Sequence, residues 1–144
     1  MSGGSFAPSD SGGGPAPAAS IGDVLRQAPP TVVEAHLTWL VARTRREPQL
    51  SPQRVLYEDQ SKILIDALEE RDEHDAVLRA VATPWILEDV EVDDGELGTY
   101  AGALEGVTAG QPRHSPFVAL AQSATRCTSE IAGYRRSQAS PRSA

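Results

Sequence analysis

The most reactive side chains of the sequence are three histidines and one cysteine, and they form no known catalytic or metal-binding motif. His36, His74 and His114 lie far apart along the chain, and no two of them have the i, i+3 or i, i+4 spacing that helical metal ligands use. Cys127 lies on an apolar helical stripe, which predicts a small buried residue and not a nucleophile. The sequence therefore predicts no catalytic residue, no metal ligand and no cofactor. We predict that His36 is a half-buried residue at the edge of its helix and that His74 and His114 are solvated, with convergence of the histidines through folding as the alternative.

A run of acidic residues occupies the stretch from residue 88 to residue 96, where six of nine side chains are carboxylates. Its spacing does not fit a calcium-binding loop, because Gly95 at the sixth position would place Val90 and Val92 at ligand positions. We predict that the run meets a basic partner or is a solvated face, with weak divalent binding as a further alternative. Its candidate partner-binding residues are Glu88, Asp89, Glu91, Asp93 and Asp94.

Arginine is the dominant basic residue, since Lys62 is the only lysine in the chain. Arg43, Arg45 and Arg46 lie at the end of one predicted helix, and Arg135 and Arg136 lie near the carboxyl end of the chain. Both clusters are candidates for binding an acidic partner or nucleic acid. The net charge of −7 and the scarcity of aromatic residues among the arginines disfavour nucleic acid.

Trp39 is the candidate aromatic anchor for a partner. The apolar stripe of its predicted helix is centred on Val33, Leu37 and Leu40, so the indole falls to one side of that stripe. Partly exposed aromatic residues are enriched at protein interfaces. We therefore predict a partner contact at Trp39, with burial under a neighbouring helix of the same chain as the alternative.

Helix-start signals place these residues on secondary structure. Ser51-Pro52 begins a strongly amphipathic segment, which we predict to be the central helix, and Ser115-Pro116 repeats that signal. Residues 88–100 are predicted as a hairpin, a broken helix or an ordered loop, because Asp94-Gly95 is a typical turn pair. Residues 101–110 are helical only if Gly102 and Gly106 are tolerated. The first predicted helix runs to residue 28 and begins at Ser20, where Ser20 to Asp23 has the spacing of a capping box. The others span residues 31–46 and 51–70, a shorter stretch that follows Asp72 and stops before Pro84, and residues 115–134.

These elements predict an all-α fold, a compact bundle of four or five helices over residues 21–135 with an acidic irregular or hairpin segment. Residues 1–20 are rich in glycine, proline and serine, which predicts a disordered head. Residues 136–144 are predicted to form a flexible basic tail.

The functional expectation is a non-catalytic protein-interaction module, a small bacterial regulatory or adaptor protein or an accessory subunit of a larger complex. The chain shows no signal peptide and no apolar run long enough to cross a bilayer, which predicts a cytoplasmic protein that does not enter membranes. The expected partner is another protein or a second copy of the chain. A nucleic-acid-associated regulator that uses the arginine clusters is the alternative, and a small metal-binding protein or enzyme is the second alternative.

Overall fold

The computed structural model describes residues 20–139, which form six α-helices and one 3₁₀ turn and contain no strand. The all-α class is confirmed, but four or five helices was too low a count for this part of the chain. The predictions of a disordered head and a flexible tail fall on residues outside the described range, except for Ser20 and residues 136–139. The elements are α1 (Ile21–Gln27), α2 (Pro30–Arg46), α3 (Pro52–Glu70), α4 (His74–Ala82), the 3₁₀ turn (Leu87–Asp89), α5 (Asp94–Thr108) and α6 (Pro116–Ala139).

Serine side chains begin three of these helices, as the sequence predicts. Ser20, Ser51 and Ser115 each accept a hydrogen bond from a backbone N–H two or three residues later, which satisfies a donor that the first helical turn leaves free. The donors belong to Asp23, Gln53 and Phe117, at 3.2, 3.1 and 3.1 Å. Local capping chemistry therefore determines where α1, α3 and α6 begin.

α2 begins one residue earlier than predicted, at Pro30, without a side-chain cap. Proline suits the first helical position because its backbone φ is already helical and it has no N–H to leave unpaired. The helix is also more central than expected. It packs mainly against α3 and α4 and also contacts α5 and α6, while α3 contacts α1, α2, α4 and α6, so both helices lie at the centre of the bundle.

The hairpin alternative for residues 88–100 is wrong, because Asp94 and Gly95 form the first turn of α5. Asp93 is the N-cap of this helix, and its Oδ2 accepts a hydrogen bond from the backbone N–H of Glu96 at 2.9 Å. Carboxylates in a first helical turn are stabilised by the positive end of the helix dipole. The acids that suggested a turn therefore favour a helix start.

α5 tolerates its interior glycines because it buries a full apolar stripe against α6, its most extensive neighbour. Leu97 and Leu104 are fully buried on this stripe, while Gly102 and Gly106 lie exposed on the opposite side. Burying a leucine is worth roughly 1.5–3 kcal/mol, more than the ~1 kcal/mol that a helical glycine costs. None of the helices within residues 20–139 combines the length and the apolarity that a bilayer crossing needs.

Candidate functional site

His36 lies in the centre of the bundle and is fully buried, so its prediction as a half-buried edge residue is wrong. Its Nδ1 is 2.6 Å from the hydroxyl of Tyr100 on α5, and its Nε2 is 2.7 Å from the hydroxyl of Ser123 on α6. The three side chains form a polar chain that joins three helices. Tyr100 and Ser123 lie 64 and 87 residues after His36 in the sequence.

The hydrogen bond from Ser123 to the backbone determines which group donates and which accepts at each step of this polar chain. Ser123 donates its hydroxyl proton to the carbonyl of Leu120 at 3.0 Å, so its oxygen accepts from His36 Nε2–H. The unprotonated Nδ1 then accepts from Tyr100 O–H. The imidazole is thereby neutral, and both of its nitrogens are satisfied in one tautomer.

The titratable groups at this centre are all held in their uncharged forms. Burial lowers the pKa of His36 to about 3. Burial also raises the pKa of Tyr100 well above its usual value, with a smaller contribution from the nearby Cys127 thiol. The pKa of Cys127 is itself raised, first by burial and then by Glu130. A thiolate nucleophile is therefore disfavoured, and the polar chain acts as a structural element of the core.

The carboxylates and histidines of residues 20–139 form no group of three that is suited to hold a metal ion. His74 and His114 are exposed at the surface, and His74 Nδ1 lies 3.1 Å from Glu69 Oε2. The folding of the described chain therefore does not bring the three histidines together.

Trp39 is completely buried, so the prediction of a partly exposed indole is wrong and the alternative of cover within the chain is what the structure shows. Its ring meets Tyr57 edge-on, with 6.1 Å between ring centroids. The guanidinium of Arg43 lies 4.7 Å from the ring centroid and that of Arg126 lies 5.5 Å away. Arg43 also pairs with Glu130, which ties α2 to α6 over the indole.

Most of the arginines proposed for partner binding are engaged within the fold. Arg43 pairs with Glu130, and Arg45 donates to the carbonyl of Val81 at the end of α4. Arg46 and Arg136 are exposed, and their guanidinium groups show no hydrogen bond or ion pair to any of residues 20–139. Each predicted cluster therefore contains at least one guanidinium that is engaged within the chain and one, Arg46 or Arg136, that has no partner in the described residues.

Arg135 holds the irregular segment of residues 83–93 against α6. Its guanidinium donates to the carbonyls of Val90 and Val92, each at 2.8 Å, and pairs with Asp94. Arginine suits this role because its planar fork presents several donors at fixed angles to separate acceptors. The acidic run is therefore fixed in place by the basic residue that was predicted to be free.

Replacement of Arg135 by lysine should loosen this segment. Lysine keeps the charge but lacks the fork, so at least one carbonyl loses its donor and we expect a loss of about 1–2 kcal/mol in the free energy of unfolding. Urea unfolding measures that loss, and amide hydrogen exchange should accelerate across residues 84–93. The matched control is Arg136→Lys on the same helix, for which we expect no change. Equal exchange in the two variants would contradict the role of Arg135.

The remaining carboxylates of the acidic run point outward. Asp93 caps α5 and Asp94 pairs with Arg135. Glu88, Asp89 and Glu91, three of the predicted partner-binding residues, are exposed, and their carboxylates show no ion pair or hydrogen bond within the described chain. The side chain of Glu96, in the first turn of α5, is also exposed and without a partner in the described chain. The segment thus presents unpaired negative charge on a fixed backbone.

A groove lies on one side of this segment, and we call it the first groove. It has a volume of about 360 Å³ and runs between α2, the end of α4 and residues 83–92. Ile86 is 41% exposed at this groove, and the Trp85 ring is partly buried beside it. Other lining residues are Thr31, Glu34, Ala35, Thr38, Arg79, Asp89, Val90 and Glu91.

A second groove of about 510 Å³ lies between α1 and the start of α5. Val24, Ala28 and Pro29 form one wall, and Tyr100 and Ala103 lie on the other side. Its charged lining residues are Asp93 and Glu96. Both volumes fall within the range of roughly 300–1,000 Å³ that is usual for ligand sites.

The two grooves are neighbours because the same two stretches of chain border both of them. Pro29 lines the second groove and Thr31 lines the first, with one residue between them. Val92 lines the first groove and Asp93, the next residue, lines the second. The acidic run therefore passes from one groove to the other.

No known family model, curated protein sequence or solved structure matches the chain.

Proposed function

We propose that the protein is a non-catalytic protein-interaction module that binds its partner through the acidic run and the grooves beside it. The observation that carries this proposal is the attachment of residues 90–94 to α6 by Arg135, since it fixes an irregular segment whose free carboxylates border two grooves with exposed or half-buried apolar residues. Fixing a segment before binding lowers the entropy cost of complex formation. A small regulatory or accessory protein is the role that suits such a surface.

The contacts within the bundle favour this proposal over the two alternatives. A nucleic-acid regulator needs free basic side chains, whereas Arg43, Arg45 and Arg135 are engaged by groups of the same chain. An enzyme needs an accessible reactive group, whereas His36 and Cys127 are buried and uncharged. A bacterial origin and a cytoplasmic location stay predictions from the sequence.

Affinity purification with matched variants tests the proposal. The groove variant neutralises the lining carboxylates with Asp89→Asn, Glu91→Gln and Glu96→Gln. The control variant makes the same charge change elsewhere, with Asp59→Asn, Glu70→Gln and Asp75→Asn on the exposed sides of α3 and α4.

We expect mass spectrometry to find a protein from the source cells that the wild type and the control variant retain and the groove variant loses. The proposal is wrong if the wild type retains no protein, or if all three chains retain the same proteins equally.

A further inference from the structure

We propose that the two grooves form one docking surface for a basic linear segment of another protein, with an apolar side chain seated in each groove and arginine or lysine residues over the acidic run. This inference rests on the proposed function and specifies the chemistry of the partner. It follows from the charge of the lining residues, from their apolar content and from the position of the grooves.

The charge of the surface is negative once its internal ion pair is taken into account. Arg79 is the only basic side chain among the described residues that line either groove. Its Nε and Nη2 donate to the two carboxylate oxygens of Glu34 at 3.1 and 2.9 Å, so this pair is bidentate and carries no net charge. The charge that remains comes from Asp89, Glu91, Asp93 and Glu96. Such a surface attracts cationic segments and repels nucleic acid and anionic membranes.

The apolar content of the grooves requires more of the partner than positive charge. Ile86 and Trp85 border the first groove, and Val24, Ala28 and Pro29 form a wall of the second. Apolar surface that is removed from water contributes roughly 25 cal/mol per Å², and a purely basic segment would leave the exposed Ile86 and the half-buried Pro29 in contact with water. The partner segment therefore carries apolar residues among its basic ones.

The position of the grooves favours a linear segment over a folded surface. They lie side by side, and the chain that divides them is narrow, since only Pro30 separates the lining residues Pro29 and Thr31. An extended peptide spans about 3.3 Å per residue and directs successive side chains to opposite sides. Every second side chain of such a peptide faces the same surface. Apolar residues four positions apart can thus enter the two grooves while the basic residue midway between them faces the carboxylates.

The probe for this proposal is a display library of random peptides of about eight residues, which span roughly 26 Å when extended. Selection uses the full chain, and peptides that also bind the groove variant are removed. We expect the enriched peptides to carry arginine or lysine together with at least two apolar residues. By isothermal titration calorimetry these peptides should bind the wild type and the control variant equally, and the groove variant at least about tenfold more weakly.

A second variant, Ile86→Ser, tests the apolar contact without a change of charge, and we expect it to weaken binding several-fold. Circular dichroism and urea unfolding establish that each variant is folded. The proposal is overturned if no peptide is enriched, or if the enriched peptides lack either basic or apolar residues. It is also overturned if sedimentation velocity shows a dimer that the groove variant abolishes, since the occupant is then a second copy of the chain. The proposed function survives these outcomes if the affinity purification still finds a protein that depends on the groove carboxylates.

Discussion

Between pH 6.5 and about pH 4.5, we expect the protein to lose about 2 kcal/mol of its free energy of unfolding through His36 alone. The pKa of the buried imidazole is lowered from 6.5 to about 3, so the unfolded chain binds a proton in this range that the folded chain does not. Stability linked to His36 is therefore fully present above pH 6.5 and falls by about 1.4 kcal/mol per pH unit below it. The loss ends near pH 3, where the folded form also binds the proton.

Urea unfolding at a series of pH values measures this loss, with the variants His36→Gln and His114→Gln as comparison. The exposed His114, whose side chain has no ion pair in the described chain, is the matched control, and its variant should keep the slope of the wild type. His36→Gln should be less stable at neutral pH and should show a shallower decline towards acid, because it lacks the proton site. The carboxylates contribute equally to the pH dependence of the free energy of unfolding in all three proteins. Parallel pH profiles for the wild type and His36→Gln would show that the imidazole is not the linked group.

Nitrogen-15 NMR of the imidazole gives an independent measurement that does not need a folded variant. We expect the His36 signals to report a neutral ring that is protonated at Nε2 and does not titrate above about pH 4 in the folded protein. A ring protonated at Nδ1, or one that titrates near its ordinary pKa of 6.5, would contradict the hydrogen-bond chain from Tyr100 to Leu120.

Replacement of Trp39 by alanine should destabilise the protein by about 3–5 kcal/mol, the range for removal of a large buried aromatic side chain. The expected loss is large because the indole is completely buried and is covered by Tyr57, Arg43 and Arg126. Leu50→Ala is the control, since that side chain is 94% exposed, and its change should stay within about 0.5 kcal/mol.

Trp39→Phe separates packing from the polar atom of the indole. The Nε1–H of Trp39 is buried and has no hydrogen-bond partner in the described chain, and an unpaired buried donor costs about 1–3 kcal/mol. Phenylalanine loses part of the packing but removes this donor. We therefore expect Trp39→Phe to lose less than half of the free energy that Trp39→Ala loses. Equal losses in the two variants would mean that the indole has a partner in solution.

The sequence predicts the beginnings of α1, α3 and α6 well because their capping interactions are local. Ser20, Ser51 and Ser115 bond to backbone groups two or three residues away, and such contacts are readable from a short window. The start of α5 shows the limit of this approach. Asp93 is as suitable for a cap as for a turn, and the burial of Leu97 and Leu104 against α6 selects the helix.

The surroundings of α2 were not predictable from its own periodicity. A single apolar stripe predicts one buried side, but α3, α4 and α6 all contact α2, so residues outside the stripe are buried too. This explains why His36 and Trp39 are inaccessible. The burial of the two partners of His36 could have been suspected from their positions. Tyr100 and Ser123 each lie three residues after a leucine on an apolar stripe, and both leucines are buried.

The candidate surface depends on contacts that are distant in sequence, so only its acidic part was predicted. The unpaired carboxylates are visible in the sequence, whereas the role of Arg135 depends on the approach of α6 to residues 90–94. The same is true of the pairing of Arg79 with Glu34, which leaves the grooves without a free basic group. Composition alone could not distinguish a free arginine from one engaged in the fold.

The two tryptophans give the protein separate intrinsic fluorescence signals for the core of the bundle and for the first groove. Trp39 lies in the dry centre, whereas Trp85 borders the first groove, and the chain contains no other indole. A shift in emission from Trp85 reports occupancy of the groove, and emission from Trp39 reports the intact bundle. The Trp39→Phe variant isolates the first of these signals, so titrations can be followed without a label.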